Sequence, residues 1–219
     1  MTQPTEPTQP TEPTQPMALL VCRLGLDPVR GRLRHRLRVG IAVRAALFAE
    51  LALAGRVIGS RFPYAVGESV TGRPLLDSVH AAVLTRRATP WKRWFNHVDA
   101  DREAATAALV TAGRWRIEDG RIVDNAAGAT VTEQQRIAQL LAGGQPPEEL
   151  SLTIVAILAA ASGVGDRRAA PRAAGRLVKP WLAPQLATCG ADAAEQEAVL
   201  ASIKAALVAM RKARPIPFL

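Results

Sequence analysis

Along most of the chain apolar residues recur at helical spacing, and in one stretch nearly every position is apolar. Val39 to Leu53, with Arg44 and Glu50 as its charged members, is apolar around almost its whole circumference, which predicts a helix buried on nearly all sides. Gly55 is its stop, and Val57-Ile58 reads as a short strand. Ser60 to Gly72 reads as loop. Thr71-Gly-Arg-Pro74 then opens a helix with proline in its first turn, Asp77 near its positive end, and Leu75, Leu76, Val79 and Val83 on its core face. After Arg86-Arg87, the cluster Trp91-Lys-Arg-Trp94-Phe95 begins a helical region that runs to Thr111 and is capped by Gly113. Arg114 to Ile117 alternates cationic and apolar residues, Asp119-Gly120 is a type I′ turn signal, and Arg121-Ile-Val123 returns, so a β-hairpin is predicted. Helices over Thr132 to Leu141, Pro147 to Ser162 and Glu195 to Arg211 complete the pattern, with Gly143-Gly-Gln-Pro-Pro147 separating the first two.

The beginning of the chain follows a different rule. Thr2 to Pro16 repeats Thr-Gln-Pro-Thr-Glu-Pro, with proline at every third position and nothing apolar to bury, so residues 1–16 read as an extended, solvated tail. An apolar run starts at Ala18, and the domain boundary is placed at Met17. Arg30 to Arg38 interleaves arginines with Leu33 and Leu37, a pattern that fits an exposed basic loop or a short hairpin equally well. A 48% apolar content supports a real core, and with 4% aromatic residues that core is built from small aliphatic side chains on close-packed helices. The expected fold is therefore mainly α: a single helical domain over 17–219 with a buried helical core and a small β-hairpin.

Composition adds a location for charge. The chain carries 28 Lys and Arg against 19 Asp and Glu, and residues 17–93 hold 14 of those cations against four acids. Clustering of this kind points to a local anionic partner. The longest apolar stretches are shorter than the roughly 20 residues a spanning helix needs, and no secretory leader opens the chain. Cys22 and Cys189 belong to no metal-binding or disulfide pattern and read as buried small hydrophobes.

Catalytic signatures are missing: the sequence has no GxSxG, no Walker A loop, no HExxH and no interpretable carboxylate pair. His35, His80 and His97 stand apart from one another and from cysteine, so no catalytic residue, metal or cofactor is expected. Glu50, inside the buried helix, calls for pairing with Arg56 or another arginine. Arg44 lies within the same helix's first turns, where a guanidinium near a positive helix end makes a phosphate site; the competing reading is a structural pair with a glutamate. Trp91 and Trp94 beside Lys92 and Arg93 suit a membrane interface, or else anchor a helix in the core.

The run Val43-Arg44-Ala-Ala-Leu-Phe-Ala-Glu50-Leu-Ala-Leu-Ala-Gly55-Arg56, followed by Thr71-Gly-Arg-Pro-Leu75-Leu-Asp77, resembles the Golgi phosphoprotein 3 family, which has many bacterial members. Arg102 to Gly113 before a hairpin, and Val155 to Val164, also look like it and keep the family's order. The resemblance implies a mostly α-helical fold, peripheral binding of phosphatidylinositol 4-phosphate, and, in eukaryotic members, recruitment of glycosyltransferase tails. It implies a headgroup pocket of one tryptophan and three arginines, of which Arg44 and Arg102 fill two positions; His35 stands where the tryptophan would be and Asp99 where the remaining arginine would be.

These observations lead to one expectation and two rivals. The expectation is a cytoplasmic, peripheral adaptor rather than an enzyme, docking on an anionic phospholipid surface and holding a protein client. In it Arg44 and Arg102 grip phosphate, while His35, Arg36 and Arg38, with Arg34, flank it. The first rival is a winged-helix-like DNA-binding protein, suggested by the helix ending at Gly113 and the cationic hairpin; the upstream position of the charge excess speaks against nucleic acid. The second is a protein-interaction scaffold, for which the apolar Pro215 to Leu219 tail is the local hint.

Overall fold

The computed structural model describes residues 15–67, 71–164 and 170–213. The repeat of residues 1–14 and the tail of 214–219 lie outside them.

A long helix with no polar face can be satisfied only at the centre of a bundle, and that is where this one lies. Helix α2, Arg36–Leu53, is surrounded by α1 (Met17–Leu24), α7 (Leu150–Ser162) and α10 (Ala193–Lys212), with α3 (Pro74–Thr85) and α5 (Asp99–Thr111) completing the ring. Val39 to Val43, Ala45 to Ala49 and Leu51-Ala52 are all buried. Phe48 is the largest of these side chains, and α4 (Trp91–Trp94) presents its rings to it edge-on: Trp91 at 4.9 Å and Trp94 at 5.5 Å between centroids. Such pairs contribute about 1 kcal/mol each beyond area burial. The two indole nitrogens donate to the Gly59 and Thr89 carbonyls. The cluster thus points its rings into the core and leaves Lys92 and Arg93 outside, which settles its two readings in favour of the anchor. Residues 95–98 separate α4 from α5, so the helical region expected from Trp91 to Thr111 is two helices.

Glu50 is resolved by two donors. Its Oε1 accepts the Ala18 N–H at 3.0 Å, capping α1, and its Oε2 accepts from Arg73 rather than from Arg56.

Both helix stops close as the glycines suggest. Gly55 has φ +67, with Gly55 N–H donating to Ala52 and Arg56 N–H to Leu51; Gly113 has φ +67 and repeats the pattern with Val110 and Leu109. The predicted hairpin is present as well. There β5 (Trp115–Glu118) pairs antiparallel with β6 (Arg121–Asp124), and Asp119 and Gly120 both take positive φ, as a type I′ turn requires. Helix α6, Ala127–Gly143, follows and clamps the other end of α1: Gln134 donates to the Leu24 and Leu26 carbonyls at 2.8 Å, and Glu133 accepts from Arg23.

Of the two readings of the basic stretch, its first part takes the hairpin, β1 (Leu26–Asp27) with β2 (Arg32–Leu33). Several expectations are corrected. The last part of the basic stretch is helical, since α2 begins at Arg36, three residues before its apolar run. Within the expected loop, β4 (Tyr64–Ala65) pairs with β3 (Val57–Ile58). Cys189 is exposed, while Cys22 is buried. A further segment had no predicted element: α8 (Ala170–Leu177), a π-helical turn (Val178–Leu182) and α9 (Ala183–Thr188). No helix among the described residues is long and apolar enough to cross a membrane.

Candidate functional site

Two of the positions singled out in the sequence, Arg44 and Arg102, fall where α2 meets the start of α5, and the contact depends on a glycine. A Cβ on Gly40 would lie 2.9 Å from Val98 Cγ2 and 3.1 Å from the Val98 carbonyl, so the missing side chain lets the N-terminus of α5 touch α2 backbone to backbone. One turn later Arg44 bridges the same junction. Its Nε donates to Asp101, in the first turn of α5, and an Nη donates to the Trp94 carbonyl at 2.7 Å. Both side chains are close to nine-tenths buried, at 13% and 11% exposure, so the pair is an internal tie between helices. It is a carboxylate pair of the kind the structural reading of Arg44 named, formed with an aspartate 57 residues away.

Arg102 lies on the neighbouring position of α5 and is similarly sequestered, yet its partners are not. It donates to Asp99 and, at 3.2 Å, to Glu103, and those two carboxylates are 68% and 71% exposed. Beneath it, the Thr106 hydroxyl donates to the Arg102 carbonyl and lies 4.0 Å from Cys22 Sγ. Burial pushes the Cys22 thiol up to about 12, against smaller opposing effects of the Thr106 contact and the Arg102 charge. Cys22 is therefore an inert core thiol. Arg44 and Arg102 are thus brought to one turn of helix, where they face three carboxylates.

The other expected residues sit at the N-terminal start of α2, about two turns before Arg44. His35 starts α2 in a left-handed conformation, φ 42 and ψ 58, with its ring edge 3.1 Å from the Cβ position of Gly163 at the end of α7. Arg36 is exposed and Arg38 half-buried, and burial draws the Arg38 guanidinium below its ordinary value without removing its charge. Neither is in a salt bridge among the described residues. Leu37, between them, is 42% exposed.

One feature the sequence did not disclose is the joining of the β1–β2 hairpin to the β5–β6 hairpin. Asp27 Oδ1 accepts the N–H groups of Val29 and Arg30, turning the chain, and Gly31 closes the turn at φ +60. The Gly31 carbonyl then accepts the Ile122 N–H of β6 at 2.8 Å. A Cβ on Gly31 would lie 2.9 Å from the Ile122 carbonyl and 3.0 Å from Arg121 Cβ, so glycine is needed for both reasons. Through this contact the Arg30-Gly31-Arg32 turn lies against Arg121; Val29 is 91% exposed at the tip of that turn, and Ile117 is 61% exposed on β5. Arg116 is occupied with Glu118 and Asn125. A lone valine between Pro28 and Arg30 was the available signal for the tip; nothing in sequence marked Gly31 or Asp101.

On its outer side α5 exposes Glu103, Ala104, Ala107 and Thr111, an acidic and small-residue face with no cation to meet a DNA backbone. Among the described residues no three His, Cys, Asp or Glu side chains gather as a metal site.

A family model described as Golgi phosphoprotein 3 (GPP34) matches residues 20–212. No curated protein matches the chain.

Proposed function

The chain belongs to the Golgi phosphoprotein 3 family, and from that premise we propose that it is a peripheral membrane adaptor binding anionic phospholipid headgroups of the phosphoinositide class at a cytoplasmic membrane face. The family is known for phosphoinositide binding. The observation that carries the reading here is the edge formed where Gly31 meets Ile122. It combines an almost fully exposed valine with Arg30, Arg32 and Arg121, while Leu37 lies between Arg36 and Arg38 on the adjoining turn of α2. Apolar tips ringed by arginine are the composition of a membrane interface: the tips enter the acyl boundary and the guanidinium groups meet phosphate.

The residues divide the work. Arg36 and Arg38, beside His35, meet headgroup phosphate, and Arg30, Arg32 and Arg121 add attraction over the surrounding surface. Arg102 offers a guanidinium fork when Asp99 and Glu103, both largely solvated, turn outward. Arg44 holds α5 in register so that Arg102 is presented at all.

Vesicle flotation tests this, with neutral phosphatidylcholine vesicles and vesicles doped with phosphatidylinositol 4-phosphate or, at matched charge, phosphatidylserine. The expected result is flotation with anionic vesicles alone, strongest with the inositol lipid. Arg36→Glu with Arg38→Glu lowers it by about fivefold or more per arginine removed, from roughly 1 kcal/mol each near an anionic surface. Equal flotation with neutral vesicles, or none lost in the double variant, overturns the proposal.

A further inference from the structure

The last described helices enclose a surface groove that the lipid-binding reading does not use. Its volume is about 380 Å³, and it runs between the α8 to α9 segment and α10. Two features of the segment open it. Gly175 has no side chain, so the Arg211 guanidinium lies over it; a Cβ there would sit 2.7 Å from an Arg211 Nη. Pro180 lacks an N–H, and around it the helix widens into a π turn in which the Ala183 N–H reaches back to the Val178 carbonyl. That turn sends Trp181 and Leu182 into the core while Val178 and Lys179 line the groove. On the other wall, Leu200, Lys204 and Val208 recur every fourth residue of α10, with Leu207 and Arg211 beside them, which makes one continuous stripe. Val208 is 45% exposed.

The lining contains three cations, Lys179, Lys204 and Arg211, and no acid. None of the three is in a salt bridge among the described residues. Arg211 near the end of α10 complements the helix dipole, but Lys204 lies two turns earlier and Lys179 on the facing wall, where that effect has faded. Positive charge is therefore spread along both walls. An amphiphile with one anionic head needs cations gathered at one end; a segment with several carboxylates flanking an apolar stripe meets all three. From Leu200 to Arg211 the stripe is about 16 Å long, or three turns of helix.

We propose that the α8–α10 groove docks an acidic amphipathic helix of a partner protein, with the apolar face seated on the accessible Leu200 and Val208, above the buried Val178 and Leu207, and carboxylates paired with Lys179, Lys204 and Arg211. It is a second anion-seeking surface, built on elements other than those of the proposed lipid edge.

The test is fluorescence anisotropy of the full chain with a labelled helical peptide of about 15 residues, enough to span the stripe, bearing leucines on one face and glutamates beside them. Two control peptides replace the glutamates with lysine or the leucines with serine. The acidic amphipathic peptide binds, and each control binds at least about tenfold more weakly. Lys204→Glu with Arg211→Glu weakens it by a similar factor; both residues are exposed, and an unchanged circular dichroism spectrum and urea midpoint verify the fold. Gly175→Leu fills the groove without altering charge, displaces only the tip of Arg211, and removes binding. Equal binding of all three peptides, or variants that bind like the parent, overturns the proposal. So does uptake of dodecanoate with no binding of the acidic peptide, or a self-associated dimer that Lys204→Glu dissolves.

Discussion

Arg44 and Arg102 are the same residue type on two packed helices, α2 and α5, and burial of their partners separates what each can do. Arg44 answers the buried Asp101 and a main-chain carbonyl, so removing it leaves a carboxylate in the interior with no counter-charge. Breaking one side of such a pair costs about 3 kcal/mol or more, and a loss of lipid binding in Arg44→Ala reports misplacement of α5 as readily as loss of a phosphate contact. Arg102 answers carboxylates that are largely in water, so its contacts are exchangeable. Asp99→Asn is the informative change. It removes the charge that competes with phosphate at Arg102 while keeping a side chain of the same size. Affinity for anionic vesicles is expected to rise about fivefold, with stability in urea altered by less than about 0.5 kcal/mol. An unchanged affinity means that Arg102 takes no part in the site. Arg44 was legible in sequence as a charge needing an answer; Asp101 was not, because nothing local distinguishes it from Asp99 and only the approach of Gly40 to Val98 selects it.

At the scale of elements, legibility followed how local the cause is. Gly55 and Gly113 were readable as stops because a left-handed residue is a local requirement, and Asp119-Gly120 as a hairpin turn for the same reason. The α8 to α9 segment was not, since Pro171, Pro180 and Pro184 read as breaks. In the structure Pro171 and Pro184 fall in first turns, where a missing N–H costs nothing, and the π turn absorbs Pro180. The motif Thr71 to Asp77 shows a local device at work. The Thr71 N–H and hydroxyl both donate to Asp77 Oδ1, at 2.7 and 2.8 Å, tying the loop to the start of α3. These bonds hold the Asp77 carboxyl below its ordinary value. A carboxyl depressed in the folded state contributes stability that is complete above its unfolded value near 4 and is lost as pH falls through the folded value. Urea denaturation at pH 7 and at pH 3 is therefore expected to show a smaller pH difference for Asp77→Asn than for the parent chain. An identical difference assigns the acid sensitivity to other carboxylates.

For the whole molecule, charge clustering in sequence located the basic third of the chain but not its shape. The edge arises because Gly31 brings the β1–β2 hairpin against the β5–β6 hairpin, adding Arg121 from outside that third to the turn that exposes Val29. Attraction by arginines and insertion of valine differ in how they respond to salt, and this separates a membrane-docking edge from a merely basic one. Coulombic attraction between exposed groups and a lipid surface is screened over about 8 Å at physiological ionic strength and over less at higher salt. Transfer of an apolar side chain out of water is not weakened in this way. Arg30→Gln and Arg32→Gln are thus expected to lower vesicle affinity at low salt and to converge on the parent chain as salt rises. Val29→Ser is expected to lower it by about fivefold at every salt concentration, from roughly 1 kcal/mol of lost burial for a side chain seated part-way into the acyl boundary. Vesicle co-sedimentation across a salt series measures both. If the Val29→Ser deficit vanishes at high salt along with the arginine effects, the valine does not enter the lipid, and the edge is an electrostatic platform whose apolar tips face something else.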